Sequence, residues 1–206
     1  MKYDPVKHHR RSIRLKGYDY SQAGAYFITI CTKDRACLFG EMVDGEMRLN
    51  PWGEIVREEW FKTAQLRLYV RLHDTEFVVM PNHVHGIIWI VDDNVVGARR
   101  RRAPTDAPLE RFGAPVSGSI PTIVRAFKSA TTKRLNALRG TPGGQIWQRN
   151  YYEHIIRDDE SLNRIREYIA NNPSQWAADR ENPDVVRRRM RRPDRTNHGA
   201  SDRIRP

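Results

Sequence analysis

Hydrophobic positions along the chain follow two periods, and their alternation predicts most of its elements. Residues 25–32 (AYFITICT) are aromatic and β-branched, which predicts a first strand. Residues 38–49 predict a loop or hairpin, with Gly40 and a turn at Asp44-Gly45. From Pro51 to about Gln65 the spacing becomes helical: proline opens the first turn, and Ile55, Val56, Trp60 and Phe61 recur on one side. Residues 76–80 predict a short apolar strand, Pro81-Asn82 a turn, and residues 83–91 (HVHGIIWIV) a further strand. Trp89 and the isoleucines predict that this strand is buried on both faces at its far end. The pattern lapses over residues 92–119, a long basic loop holding Arg99, Arg100, Arg101 and Arg102 among proline and glycine turns.

Residues 121–139 restore the helical period. Ile123, Val124, Phe127, Leu135 and Leu138 are expected inward, and Arg125, Lys128, Lys133, Arg134 and Arg139 outward, with Thr141-Pro142-Gly143-Gly144 ending the helix. Residues 146–156 predict a strand. Residues 158–172 predict a last helix, with Asp158, Asp159 and Glu160 complementing its N-terminal dipole and Pro173 stopping it. The order strand, helix, strand, strand, helix, strand, helix predicts an α+β fold. It is a ferredoxin-like split β-α-β arrangement, an antiparallel sheet with helices on one face plus a C-terminal helix. A basic arm (residues 1–16) precedes the domain (17–176). The tail, 177–206, has nine arginines, five acids and almost no apolar residues, so it is expected to be disordered or ordered only on a partner.

Composition narrows the function classes. With 206 residues the chain is one domain or two small ones, and a (β/α)₈ barrel of about 250 residues is improbable. Cys31 and Cys37 cannot supply a disulfide framework or a four-cysteine zinc site, and read as thiols of a reducing compartment. The basic N-terminus has no apolar core of a secretory signal, and no apolar run approaches the ~20 residues of a membrane helix, so a cytoplasmic protein with no membrane partner is expected. Against 25 acids stand 36 Lys and Arg, a formal charge of +11, which points to a polyanion, and nucleic acid is the abundant one.

Three sets of residues could carry chemistry. In a strand, His83 and His85 share one face while Val84 turns to the other, so the pair forms a bidentate metal platform needing one or two more ligands. Two polar residues at a strand edge would give the same pattern. Tyr168 lies on the flank of the inward stripe formed by Leu162, Ile165 and Ile169, with Asn172 one turn above it. Tyr151 and Tyr152 are rivals. Finally, Arg125, Lys128, Lys133 and Arg134 line a helix face, and Trp147, Arg149, Tyr151 and Tyr152 interleave aromatics with a cation, a composition suited to bases and phosphates.

Four segments then occur in order: Met80-Pro81-Asn82-His83-Val84-His85, Ala126-Phe127-Lys128-Ser129, residues 147–154 (WQRNYYEH) and residues 166–173 (REYIANNP). Together they resemble the single-tyrosine HUH transposases of insertion-sequence type, most closely the REP-associated tyrosine transposases. The resemblance implies cutting and rejoining of single-stranded DNA beside hairpins or palindromic repeats, through a 5′-phosphotyrosine and a free 3′-OH. It implies His83 and His85 as metal ligands, Tyr168 as nucleophile, and Asn172 as third ligand where many relatives carry Gln. It further implies Mg²⁺ or Mn²⁺ as cofactor, a monomer or homodimer, and a bacterial, nucleoid-associated location. Two other readings compete: a hairpin-binding protein or repressor of the same fold without cleavage, and an RNA-binding sheet. The latter would need exposed aromatics where this chain has histidines and isoleucines.

Overall fold

The computed structural model describes residues 15, 17–92, 116–179 and 181–190. The residues 1–14 of the basic arm, Arg99, Arg100, Arg101 and Arg102 of the central loop, and residues 191–206 of the tail lie outside the described residues. Seven strands and four α-helices follow in order: β1 (Gly24–Cys31), β2 (Gly40–Val43), β3 (Glu46–Leu49), α1 (Pro51–Leu66), β4 (Val70–Arg71), β5 (Phe77–Met80), β6 (His83–Ile90), α2 (Ile120–Leu138), β7 (Tyr152–Ile156), α3 (Asp159–Gln175) and α4 (Pro183–Met190).

The main sheet is antiparallel, in the order β4-β6-β1-β7, with β5 also pairing β6. Setting aside the separate β2–β3 hairpin and the two-residue β4, β1-α1-β5-β6-α2-β7 is the split β-α-β path expected from the sequence. The strand β6 is interior, bonded along its length to β1 and on its other edge to β5 and then β4. A strand held on both edges is a rigid platform for side chains.

The two faces of the sheet bury different helices. On one face, Tyr26, Ile28 and Ile30 of β1 and Val84, Ile88 and Ile90 of β6 meet Ile55, Val56 and Trp60 of α1 and Ile123, Val124, Phe127 and Leu135 of α2. On the other, Ala25, Phe27 and Ile87 meet Leu162 and Ile169 of α3, with Val78, Trp89, Ile156 and Ile165 packed around them. The inward stripe expected for the last helix is the one that packs. Gly86 belongs to the first face: a Cβ there would lie 2.4 Å from the Trp60 ring and 2.9 Å from Phe77, so only glycine lets α1 approach β6 this closely.

Local signals account for the ends of the elements. Asn50 caps α1, its side-chain oxygen accepting from the Trp52 and Gly53 amides at 2.9 and 3.0 Å. Asp158 caps α3 by accepting from the Ser161 amide at 2.7 Å. In the β2–β3 hairpin Asp44 and Gly45 both have positive φ (52° and 81°), the primed turn that fits twisted strands.

Four expectations need correction. Residues 146–151 are not strand: Ile146 and Trp147 are buried in the core and Trp147 makes a lone bridge to Thr32, its indole donating to Thr131 Oγ1 at 2.8 Å. Burial there comes from side-chain anchoring rather than from a ladder. Leu138 is 61% exposed; Asn136 turns inward instead, donating to the Gly144 carbonyl at 2.8 Å. Pro173 does not stop α3, which continues to Gln175 and is closed by the Trp176 amide bonding to the Pro173 carbonyl. Proline this near the end forfeits one amide donor while the carbonyls of the last turn find other partners. The tail is ordered through residue 179 and over 181–190, because polar groups tie it down: Glu181 meets Arg35 at 2.8 Å, and Asn182 donates to the Trp176 carbonyl at 2.9 Å.

Candidate active site

β6 projects His83 and His85 onto the α3 face, as strand alternation requires, and both are buried (0% and 2% exposed). Their Nε2 atoms lie 3.0 Å apart. Two ligands at right angles on one cation, each at ~2.1 Å, would themselves be separated by about 3 Å. Each Nδ1 has a fixed partner: His83 Nδ1 lies 2.8 Å from Asn82 Oδ1, and His85 Nδ1 lies 2.8 Å from Thr29 Oγ1, on the residue opposite it in β1. Phe27 stacks on the His85 ring with centroids 5.5 Å apart, closing the platform from the side.

α3 brings the tyrosine. The Tyr168 hydroxyl is 3.2 Å from His85 Nε2, its ring edge-on to Phe27, and the residue is 41% exposed. It therefore faces both the imidazole pair and the outside. Asn172, one turn on, is 2% exposed, and its Oδ1 is buried with no hydrogen-bond partner. Tyr151 packs against the α1–α2 core, and Tyr152 reaches Phe27 edge-on at 6.2 Å. Of the three candidate tyrosines, Tyr168 is the one with a hydrogen-bond contact to the histidines.

The docking of α3 is secured by an ion pair that the hydropathy pattern does not reveal. Glu76, 1% exposed, accepts from Arg166 Nε at 2.8 Å through one oxygen and from the Trp89 indole at 2.6 Å through the other. Arg166 Nη2 completes a two-point grip on Oε1 at 2.7 Å. The clamp joins the helix two residues before Tyr168 to β6 and to the turn leading into β5.

The segment after α3 adds an acid. His83, His85 and Asp179 each offer a ligand atom within 4.8 Å of the others. Asp179 Oδ2 is 4.0 Å from His83 Nε2 and 3.5 Å from Asn172 Nδ2. Placing residues 177–206 in an unstructured tail hid this residue. A signal was present in Asn182-Pro183-Asp184, a cap followed by proline at the first helical position; Asn182 Oδ1 accepts from the Asp184 amide at 2.9 Å. Two imidazole nitrogens and a carboxylate within 4.8 Å of one another could hold a divalent cation, and beside them the Asn172 oxygen is a buried acceptor without a hydrogen-bond partner.

The expected DNA-binding cations are dispersed. Arg125 and Lys133 are exposed on α2, on the far side of the sheet from the imidazoles, and Arg149 is exposed in the loop before β7. Arg134 instead bonds Glu58 at 2.7 Å and Glu59 at 2.9 Å on α1, which raises its pKa. Lys128 donates to the carbonyls of Gln148 and Arg149 at 2.5 and 3.2 Å, and burial lowers its pKa to about 8.

No helix among the described residues is long and apolar enough to cross a membrane. No family model matches the chain. It is 43% identical over 183 residues, 86% of this chain and 96% of the other, to an "Uncharacterized protein" of Haemophilus influenzae. It is 23% identical over 155 residues, 75% of this chain and 73% of the other, to a protein of the same species called "Putative REP-associated tyrosine transposase". A solved structure of a REP-associated tyrosine transposase bound to a REP hairpin aligns over 96% of this chain and 98% of its own, at 20% identity and a TM-score of 0.48. With 43% identity over nearly the full length of both chains, the chain belongs to one family with the first of these H. influenzae proteins, and it is similar at lower identity to the second, called a REP-associated tyrosine transposase.

Proposed function

We propose that this protein nicks and rejoins single-stranded DNA at hairpin or palindromic repeats, with Tyr168 as the nucleophile. The observation that carries the reading is the convergence of the Tyr168 hydroxyl, 3.2 Å from His85, on an imidazole pair whose Nε2 atoms are 3.0 Å apart. Phosphoryl transfer asks for a nucleophile positioned in line and for charge stabilisation beside it. Tyr168 stands half-exposed at the mouth of an otherwise buried cluster, so a strand can reach it without the imidazoles being solvated. In the reaction the Tyr168 oxygen bonds to phosphorus, the P–O3′ bond breaks, the phenolic proton leaves to solvent, and the departing oxygen becomes a 3′-OH. Resealing reverses these steps, so the phosphotyrosine conserves the bond energy.

His83, His85 and Asn172, with Asp179 beside them, would hold Mg²⁺ or Mn²⁺, which when bound supplies Lewis-acid polarisation of the scissile phosphate. The Glu76–Arg166 clamp keeps Tyr168 and Asn172 against the sheet of their own chain, which supports attack in cis. A second reading is favoured by Asp179: an anionic side chain beside His83 is unwelcoming to a phosphate, as in a protein that binds hairpins without cutting them.

A labelled single-stranded hairpin with its flanking strand, incubated with the protein and Mn²⁺, separates these. Wild type, Tyr151→Phe and Tyr152→Phe should give a denaturant-resistant protein–DNA band that Tyr168→Phe lacks. Hairpin binding with no band from any form selects the second reading.

A further inference from the structure

The clearest unassigned device lies behind His83. Asn82, in the turn between β5 and β6, is fully buried. Its amide nitrogen donates to two backbone carbonyls, of Arg35 at 3.0 Å and of Glu181 at 2.7 Å. A carbonyl only accepts, so both amide hydrogens are committed and the opposite arrangement would set oxygen against oxygen. Asn82 Oδ1 must therefore be the atom 2.8 Å from His83 Nδ1, and an amide oxygen only accepts. The Nδ1 of His83 thus carries a hydrogen, and in the neutral ring Nε2 carries the lone pair.

We infer that Asn82 is a positioning residue that locks His83 in the Nδ1–H tautomer and so presents Nε2 as a ready metal ligand. His85 differs. Its Nδ1 partner is the Thr29 hydroxyl, which donates or accepts equally well, so His85 takes either tautomer. When the two Nε2 atoms share a hydrogen across their 3.0 Å contact, it must sit on His85, since His83 has none to give, and the Tyr168 oxygen 3.2 Å away is then an acceptor. With a cation held by both Nε2 atoms, the hydrogen of His85 would instead be on Nδ1, and His83 would be unchanged. One imidazole is preset and its neighbour adapts, and the difference is set by amide against hydroxyl. One of the two carbonyls that fix the amide belongs to Glu181, so the segment after α3 contributes to the lock as well as Asp179.

This inference rests on His83 as a ligand, but it is read on the metal-free protein and needs no cleavage. Long-range ¹H–¹⁵N correlation spectra of ¹⁵N-histidine-labelled full-length wild type at pH 8.5 report each ring's tautomer. His83 should appear as Nδ1–H and His85 as Nε2–H, and adding Zn²⁺ as a diamagnetic probe should convert His85 alone. Asn82→Ala should show a mixture of tautomers at His83 and bind Mn²⁺ about 10- to 100-fold more weakly by calorimetry, the usual cost of losing such a partner. His83 found as Nε2–H in wild type would overturn the lock whatever the variant does. So would Asn82→Ala with an unchanged His83 tautomer and unchanged Mn²⁺ affinity. Absence of a DNA adduct alongside the expected tautomers would overturn the cleavage reading and leave the lock standing.

Discussion

Asn172 carries a cost to the fold that the proposed site would explain. Its Oδ1 is buried without a partner, which costs roughly 1–3 kcal/mol relative to a satisfied or apolar group. Its amide nitrogen meets Asp179 Oδ2 at 3.5 Å, a long bond. Asn172→Leu keeps the branched shape and removes the orphan. In the metal-free protein it should unfold later than wild type by about 1 kcal/mol, while the stabilisation that Mn²⁺ gives wild type should largely disappear. Thermal melts of both forms with and without Mn²⁺ check this; a variant melting below wild type, with metal stabilisation intact, would mean that the amide is a structural group. Strand and helix periods place His83 with His85, and Tyr168 with Asn172, on shared faces, and the family resemblance rather than the periods singled them out as a candidate site. The residue-scale reading missed Asp179, Asn82 and Thr29. Their roles depend on where two distant segments meet, and no period of two or 3.6 carries that information.

At the scale of elements, β1, β6, α1 and α3 were legible because each is long and buries one or both faces, so hydrophobic spacing records them directly. The segment from Ile146 to Tyr151 was misread because buried aromatics outside any ladder look like strand residues. Residues 177–179 and 181–187 were misread for the opposite reason. Hydrogen bonds and ion pairs such as Glu181–Arg35 hold them, and these leave no hydropathic trace. The docking of α3 has both kinds of support, an apolar stripe and the Glu76–Arg166–Trp89 clamp. Arg166→Met would leave the Glu76 carboxylate buried with one indole donor, and breaking such a pair from one side costs about 3 kcal/mol. The expected outcome is a lower urea midpoint and a loss of adduct formation out of proportion to the unfolded fraction, with hairpin binding nearly unchanged. A midpoint within experimental error of wild type would show that the apolar stripe alone holds the helix.

Over the whole molecule the charge sums to +11. Among the described residues several of the expected cations serve the fold: Arg134 ties α2 to α1, and Lys128 ties α2 to the loop before β7. The Lys128 tie has a pH signature. Burial lowers its pKa to about 8, below the ~10.4 of an exposed lysine. Between those values unfolding takes up a proton, so stability rises with pH across the window, and below about pH 8 the penalty is present in full. Urea midpoints of wild type and Lys128→Met, compared at pH 7.5 and 9.5, should diverge in favour of wild type at the higher pH. A difference that stays flat would mean that the ammonium is solvated. Arg125, Lys133 and Arg149 keep their charge exposed.

Gly86 links the two sides of this molecule. It follows His85 directly, and the space where its side chain would stand is filled by the Trp60 ring. The strand that carries both imidazoles therefore rests on α1 with nothing compressible between them, and the depth of His85 below α3 is gauged from the opposite face of the sheet. The placing of the two imidazoles is thus set partly by the packing of a helix on the opposite face of the sheet. A change in ring size at Trp60 or Phe77 would move the strand on which the imidazoles stand and leave the imidazoles themselves intact.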